Sequence, residues 1–470
     1  MSDIKKVISK DYCIGCGVCS VVSDNFSIEM NSKGQYQAKF NKFKNNNLKE
    51  IDNICPFTRE SKNEDQLSDI FLDNSIAYKN NIGRFLANYS GYVKDNIQRE
   101  SSSSGGILSW LLIKLLESKK IDGVIHVGDF LDNSEVLMGY RISFSKEQII
   151  NNKKSRYYPI EMSQTLKKIK EDYPNKKFAI VGIPCFIKAI RLLQLQDSFY
   201  MDSIKYTIGI VCGHLKTKFF AESYALEVNI NPKKIKNIDF RYYQPSDTEA
   251  SNYSVKIIGE NFKNSKKIQV IRNNNEFYAS NWGHGMFKYN ACEFCDDVLA
   301  ETADIVFGDA WLPEYLHESK GTNIITVRNL DLNNIILNNN NNELHLEILT
   351  AEKIIESQKS GIRHRTEGLK FRLYKNRFKW TPKKRLSPDN KNLSIKRKNI
   401  YNLRTKILKK SNLFFEELND GENFNIFRSK IDKYIKKYNC LYSNKKDDNI
   451  IILKIKKIYW KITDTFFVKK

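Results

Sequence analysis

The sequence predicts an α/β protein, α+β overall, in three parts: a small cysteine-ringed N-terminal module, a central mixed α/β domain and a helical, basic C-terminal tail. Three observations predict it. Three cysteines recur at two-residue spacing near the start. Between residues 83 and 375, short apolar strand-like runs alternate with segments of helical periodicity. Residues 351–470 hold 33 Lys and Arg against 12 Asp and Glu, almost all of the chain's net charge of +23. A chain of 470 residues, 41% of them hydrophobic, exceeds one ordinary core and is expected to divide.

The N-terminal module spans residues 1–60. Its centre is Cys13-Ile14-Gly15-Cys16-Gly17-Val18-Cys19. Thiolates recurring this closely, with glycines free to take unusual dihedrals between them, let a chain bend around a multi-iron cluster. In the bacterial ferredoxin run, three residues and a Cys-Pro follow, and that fourth Cys serves a second cluster. Here that position is Ser23, followed by Asp24, and a lone Cys55-Pro56 stands further on. Cys13, Cys16, Cys19 and Cys55 make one complete set, read as a single 4Fe-4S cluster in a ferredoxin-like module. Zinc also takes four thiolates, but usually from two separated C-x2-C pairs. Phe26–Met30 and Tyr36–Phe40 alternate like two strands about a turn. Residues 61–82 are polar and read as a linker or a capping helix.

The central domain, residues 83–375, opens with a βαβ pattern. Tyr89–Val93 is a strand, Ile107–Glu117 a helix and Ile121–Phe130 a strand, with Val136–Phe144 as its partner. Before the helix stands Ser101-Ser102-Ser103-Ser104-Gly105-Gly106. A small, hydroxyl-rich turn at a helix N-terminus suits the phosphates of a nucleotide or flavin; a plain serine N-cap is the alternative. Residues 146–172 look helical at both ends. The strand Lys177–Val181 then runs into Gly182-Ile183-Pro184-Cys185 and a helix ending near Leu195. Tyr206–Val211 ends in Cys212-Gly213-His214. The two cysteines occupy equivalent strand ends, where open α/β sheets place ligands. Residues 236–280 alternate like an antiparallel excursion. Cys292-Glu293-Phe294-Cys295 follows, then the strands Ala303–Trp311 and Ile324–Arg328. Cys185, Cys212, Cys292 and Cys295 form a second candidate metal set, although a lone C-x2-C also suits zinc or a redox pair. Cys440 has no sequence partner.

No apolar run follows Met1-Ser2-Asp3-Ile4-Lys5-Lys6, so no secretory leader is expected. The best apolar stretch, Ile107–Leu116, is short for a membrane span and holds Lys114. The expected setting is the reducing cytoplasm, where nine cysteines act as metal ligands rather than disulfides. The tail, residues 376–470, reads as helical and ends in the amphipathic run Ile450–Val468. It suits peripheral contact with an anionic membrane or an acidic electron carrier, or it is a solvated appendage. No base-reading motif is present, so nucleic acid is not expected.

The ordered motifs over roughly residues 1–375 resemble the beta subunit of hydrogenases and dehydrogenases that use coenzyme F(420). The resemblance lies in the cysteine triple with Cys55-Pro56, Ser103-Ser104-Gly105-Gly106, Ile121-Asp122-Gly123-Val124 and Ser155-Arg156-Tyr157. It continues through Gly182-Ile183-Pro184-Cys185, Cys212-Gly213-His214, Cys292–Cys295, Ala303-Asp304-Ile305, Gly308-Asp309, His364-Arg365 and Gly368-Leu369. It implies a flavin and iron–sulfur oxidoreductase. Cys185, Cys212, Cys292 and Cys295 should hold another 4Fe-4S cluster. The Ser103–Gly106 turn should face a flavin, FAD before FMN, with Arg156 as a charge partner. Electrons would pass between a ferredoxin-like donor or partner subunit, two clusters, the flavin and a small-molecule substrate, which for some members lies in surface-polysaccharide synthesis. His214, His284 and Asp309 are weak candidates for proton delivery. The competing readings are a non-catalytic electron-transfer subunit and a zinc-stabilised, polyanion-binding scaffold.

Overall fold

The computed structural model describes residues 2–41, 48–130, 136–418 and 424–443; the run Ile450–Val468 lies outside them. It is a mixed α/β protein. The N-terminal hairpin pairs β1 (Phe26–Met30) with β2 (Tyr36–Phe40), Phe26 opposite Phe40, as the alternation predicts. The polar stretch after it contains a helix, Glu64–Phe71, started by a capping box between Asn63 and Gln66. A short hairpin, β3 (Ala77–Lys79) with β4 (Gly83–Phe85), leads into the central sheet.

That sheet contains β5 (Ala87–Val93), β6 (Gly123–Asp129), β7 (Met138–Ser143), β8 (Phe178–Gly182) and β9 (Ile204–Ile210). A separate antiparallel sheet follows in the chain, β10 (Ile230–Tyr242), β11 (Ser254–Asn261) and β12 (Lys267–Asn273). The central sheet is completed by β13 (Ile305–Asp309), β14 (Asn323–Val327) and β15 (Leu344–Ile348), in the order β15-β5-β14-β13-β9-β8-β6-β7. Its middle is parallel: β6, β8, β9 and β13. Its edges are antiparallel. The βαβ expectation for residues 89–130 holds for its elements but not for their adjacency. β5 pairs with β14 and β15, and β14, β13, β9 and β8 separate it from β6. The buried helix Ile107–Glu117 packs its Trp110, Leu111 and Leu115 into the core that covers both strands.

One apolar core joins the N-terminal module to the central domain. Ile4, Val7, Ile14 and Phe57 pack in the same cluster as Phe186, Ile190, Phe294 and Leu369. Tyr12 makes an edge contact with Phe294 at 4.9 Å. The C-terminal helices Ile395–Glu416 and Phe424–Cys440 are also built in. Their Ile400, Ile407, Phe427 and Ile431 share a core with Phe219, Phe220 and the three-stranded sheet. Tyr278 donates to Asp432 at 2.6 Å, and Thr217 donates to Asn412 at 3.1 Å. Among the described residues no helix is long and apolar enough to cross a membrane.

The join between this core and the three-stranded sheet carries a pH dependence. Glu227 accepts the Tyr278 N–H at 3.0 Å, yet burial pushes its carboxyl up to about 7. The folded protein therefore holds that proton more tightly than the unfolded chain. Stability is full below the unfolded value, near 4.5, and is lost as pH rises through about 7, by about 3 kcal/mol in all. Glu227→Gln is expected to flatten this slope in urea titrations between pH 5 and 8. An unchanged slope would assign the dependence elsewhere.

Candidate metal centres and the adjoining pocket

The N-terminal set is shaped by its glycines. Gly15 and Gly17 have φ of +69° and +92°. A Cβ on Gly15 would lie 2.5 Å from the Tyr36 carbonyl oxygen, so only glycine lets the loop close against β2. The Cys13 Sγ accepts N–H bonds from Gly15 at 3.4 Å and Ala38 at 3.3 Å. Such bonds stabilise thiolate, and donors of this kind tune clusters. Cys16 and Cys19 are buried, while Cys13 and Cys55 are half-buried. Burial pushes these thiols up, Cys55 to about 12. Were they ionised, Cys16, Cys13 and Cys55 would push Cys19 up further, so the predicted four lie near one another. Without a cation they stay protonated; metal binding would release their protons.

The second set forms as the parallel strands dictate. β8 and β9 run side by side, with Gly182 opposite Gly209. Cys185 therefore opens the helix Pro184–Gln196 close to Cys212, which follows β9. Cys292 and Cys295 arrive on the tight turn Asn290–Phe294. All four line one small cavity, walled in part by Ile14 and Phe57 from the N-terminal module. Leu215 N–H donates to the Cys292 Sγ at 3.3 Å. Burial pushes Cys292 up to about 11 and Cys185 well above the ordinary thiol range. Cys185 also feels the charge of Cys16, so the two sets are neighbours. Among the described residues no group of three or more His, Cys, Asp or Glu side chains is placed to hold a metal ion as the chain stands.

Arg365, which the sequence reading gave no site role, is the cation of this cavity. Its Nε lies 3.5 Å from the Cys295 Sγ, and its Nη2 donates to the Gly213 carbonyl at 2.6 Å. Burial opposes its charge, but the surrounding thiolates would more than offset that and hold it protonated. Asp304, from the quoted Ala-Asp-Ile motif, has a structural task. It accepts from Thr207 N–H at 2.7 Å and pairs with Arg191 at 3.0 Å, tying β9 to β13.

A second, polar pocket is lined by the cations Arg99, Arg241 and Lys320, the carboxylates Glu100 and Asp247, and Ser103, among others. Of the Ser103–Gly106 turn, only Ser103 lines it; Ser104, Gly105 and Gly106 lie outside the lining. The Ser103 Oγ accepts from Ser155 N–H at 2.7 Å, and its carbonyl accepts from Arg241 at 2.9 Å. Ser104 instead donates to the Thr322 carbonyl at 3.1 Å. Gly105 and Gly106, at φ of +49° and +85°, carry the chain into the helix. The first helical N–H, from Ile107, is already bonded to the Asn323 side chain at 3.2 Å. Arg156 is buried against Asp129 at 2.9 Å, outside this lining. The cations that do face the pocket are Arg99, Arg241 and Lys320. Arg241 could not be picked out from the sequence, since it lies on β10, in the antiparallel excursion, with no motif around it.

The proton-delivery candidates separate. Asp309 pairs with Arg241 at 3.3 Å beside the polar pocket. His214 follows Cys212 and stacks at a tilt on Trp282, 4.5 Å between centroids. Burial and then the Lys216 charge push its imidazole well down, so it is neutral. Trp282 in turn meets Tyr157 at 5.0 Å, and Tyr157 feels the charges of Tyr253 and Arg241. The row His214, Trp282 and Tyr157 runs from beside Cys212 to Phe240, which Tyr157 meets at 5.3 Å and which precedes Arg241 of the polar pocket. His284 is elsewhere: its Nε2 bonds Asn439 at 2.9 Å and its ring meets Tyr438, pinning the last helix.

Two family descriptions match the chain. Residues 88–167 match the N-terminal part of the coenzyme F(420) hydrogenase/dehydrogenase beta subunit, and residues 175–352 match its C-terminal part. The chain is 24% identical over 256 residues to the coenzyme F(420) hydrogenase subunit beta of Methanococcus voltae, covering 51% of this chain and 79% of that protein. It is 23% identical over 326 residues to the coenzyme F(420)-dependent sulfite reductase of Methanocaldococcus jannaschii, covering 66% of this chain but only 44% of that protein. A chain of the F(420)-reducing nickel–iron hydrogenase complex from Methanosarcina barkeri aligns at 16% identity and a TM-score of 0.47, covering 64% of this chain and 96% of that one. These relatives are redox proteins. With both parts of the family matched across its central sheet, the chain belongs to the coenzyme F(420) hydrogenase/dehydrogenase beta-subunit family.

Proposed function

We propose that the chain is an iron–sulfur flavoprotein that moves electrons between a one-electron protein donor and a two-electron small-molecule substrate. The observation that carries this reading is the adjacency of two four-cysteine sets, one of them ringing a cavity, with the row of Trp282 and Tyr157 leading toward the polar pocket. In this reading Cys13, Cys16, Cys19 and Cys55 hold one 4Fe-4S cluster, and Cys185, Cys212, Cys292 and Cys295 hold a second. The donor set fits: soft thiolates, N–H···S bonds and a dry lining. A flavin fits the polar pocket through its anionic arm, which Arg99, Arg241 and Lys320 would hold by charge and Ser103 by its hydroxyl. Clusters pass single electrons and a flavin delivers pairs, so a chain holding both converts between the two. Asp309 keeps Arg241 oriented toward the Ser103 carbonyl, and Arg365 offsets negative charge at the second set. The substrate is F(420) itself or another small acceptor, including a sugar- or lipid-linked one.

The test is anaerobic purification after iron–sulfur reconstitution. About eight iron and eight acid-labile sulfide per chain, with bound FAD, are expected. Zinc in place of iron, with no flavin, would leave the scaffold reading in its place. One observation favours a narrower role: named relatives are subunits of larger complexes. A non-catalytic subunit would load the same cofactors and reduce neither F(420) nor another acceptor unless its partner oxidoreductase subunit is added.

A further inference from the structure

The C-terminal helices extend past the family match and put an unusual surface beside the N-terminal cysteine set. Lys375 closes the helix Glu367–Lys375, Lys379 follows it, and Lys406 and Lys409 stand on the helix Ile395–Glu416. All four are exposed. They crowd one another: burial first, then Lys406, Lys409 and Lys379, push the Lys375 ammonium down. In this crowd Lys375 makes a hydrogen bond to the neutral Asn402 at 2.6 Å. Trp380, two residues past Phe378, meets Tyr12 at 5.8 Å, and Tyr12 precedes Cys13. Cys13 and Cys55 are the half-buried members of their set. Between Lys375 and Lys379 stands Phe378, 90% exposed, with the Arg377 guanidinium over its ring at 4.5 Å. An aromatic left in water between cationic neighbours in the chain costs the free protein and suits a partner that buries the ring and neutralises the field.

We propose that Phe378 with Lys375, Lys379, Lys406 and Lys409 is the docking surface for an acidic one-electron carrier protein, of the ferredoxin or flavodoxin kind, which it seats against the Cys13 side of the N-terminal set. Charge complementarity selects an acidic partner, and the neighbouring thiolates select a redox one. A membrane would ask for a continuous apolar stripe beneath the basic face rather than one ring. The inference rests on the reading of Cys13, Cys16, Cys19 and Cys55 as a cluster site. It adds where, and by what chemistry, the donor is recognised.

The test uses the full-length, reconstituted chain. Cluster bleaching is followed by stopped flow with a pre-reduced acidic ferredoxin and, separately, with reduced methyl viologen. Reversing the four lysines to glutamate is expected to lower the ferredoxin rate about ten-fold or more at low salt, with the gap closing as salt rises. Phe378→Ala is expected to lower it several-fold at every salt concentration. Viologen rates should stay at the wild-type value. Ferredoxin rates untouched by both variants would overturn the proposal, as would variants that lose only their binding to phosphatidylserine vesicles or to single-stranded nucleic acid. A chain that binds no iron, or does not bleach with viologen, would sink the cluster reading instead. In that case the affinity of the unloaded chain for oxidised ferredoxin still reports on the surface and should fall about ten-fold with the charge reversal.

Discussion

Replacing Cys185 with alanine is expected to halve the iron of the reconstituted protein, from about eight to about four per chain, and to leave the N-terminal cluster in place. Cys185 stands at the second helical position after Pro184, where alanine keeps the helix start. The substitution therefore removes a ligand without disturbing β8. The three cysteines left in the cavity cannot complete the set, and Arg365 then faces fewer thiolates. Electrons supplied at Cys13 should still bleach the first cluster but should no longer reach an acceptor in the polar pocket. Cys440→Ala, on an exposed residue, should change neither iron content nor turnover. Loss of all iron on Cys185→Ala would mean that the two sets assemble only together. Unchanged iron would remove Cys185 from the ligand set.

The second large effect concerns stability. Glu293 lies between Cys292 and Cys295, and only 1% of it is exposed. Its carboxylate pairs with the equally buried Lys288, lies 3.4 Å from His364 and 3.5 Å from Arg372, and accepts from Thr405 at 2.6 Å. Burial works against this charge, but Lys288 and then Arg372 hold the carboxyl well below the usual range. Glu293→Ala would leave two cations in the core with nothing to balance them, a loss of about 3–5 kcal/mol. Urea unfolding at pH 7 of the unloaded chain measures it. The double variant Lys288→Met/Glu293→Leu should cost less than Glu293→Ala, because it removes the carboxylate together with one of its two cations and leaves only Arg372 to be compensated. Equal losses in the single and double variants would show that the pair is held for packing rather than charge.

The contrast between these two positions shows how much could be read in advance. The cysteines were legible because their chemistry is local: a two-residue spacing, a glycine between ligands, a strand end followed by a helix. The parallel placement of β8 and β9 was legible too, since equivalent strand ends in one sheet bring Cys185 and Cys212 together. Glu293 was not, because inside a C-x2-C pair it reads as a spacer. Its role depends on Lys288, Arg372 and Thr405, which only the finished fold assembles. Arg241 escaped for the same reason; Arg365 was visible in the His364-Arg365 motif, but its place against Cys295 was not. Arg156 illustrates the converse: its motif was visible, but the carboxylate that claims it, Asp129, lies on another strand. The strand order was beyond periodicity, which sees elements and not their neighbours; β5 looks like the partner of β6 until β14 takes its place. The C-terminal helices read as a charged appendage because their apolar positions are sparse, yet Ile400, Ile407 and Phe427 are fully packed.

The shared core beneath the opening cysteine loop has a consequence for how such a protein can change. A ferredoxin-like unit is commonly pictured as a cassette, cut and pasted between chains. Here Ile14 and Phe57 wall the neighbouring cavity, and Tyr12 is wedged against Phe294. Excising residues 1–60 would open that chamber to water and strip a flank of the larger domain. Grafted elsewhere, the excised piece would carry a bare apolar side. The two halves are thus bound to evolve as one interlocked object, with each drift on one side of the seam answered by a matching drift on the other.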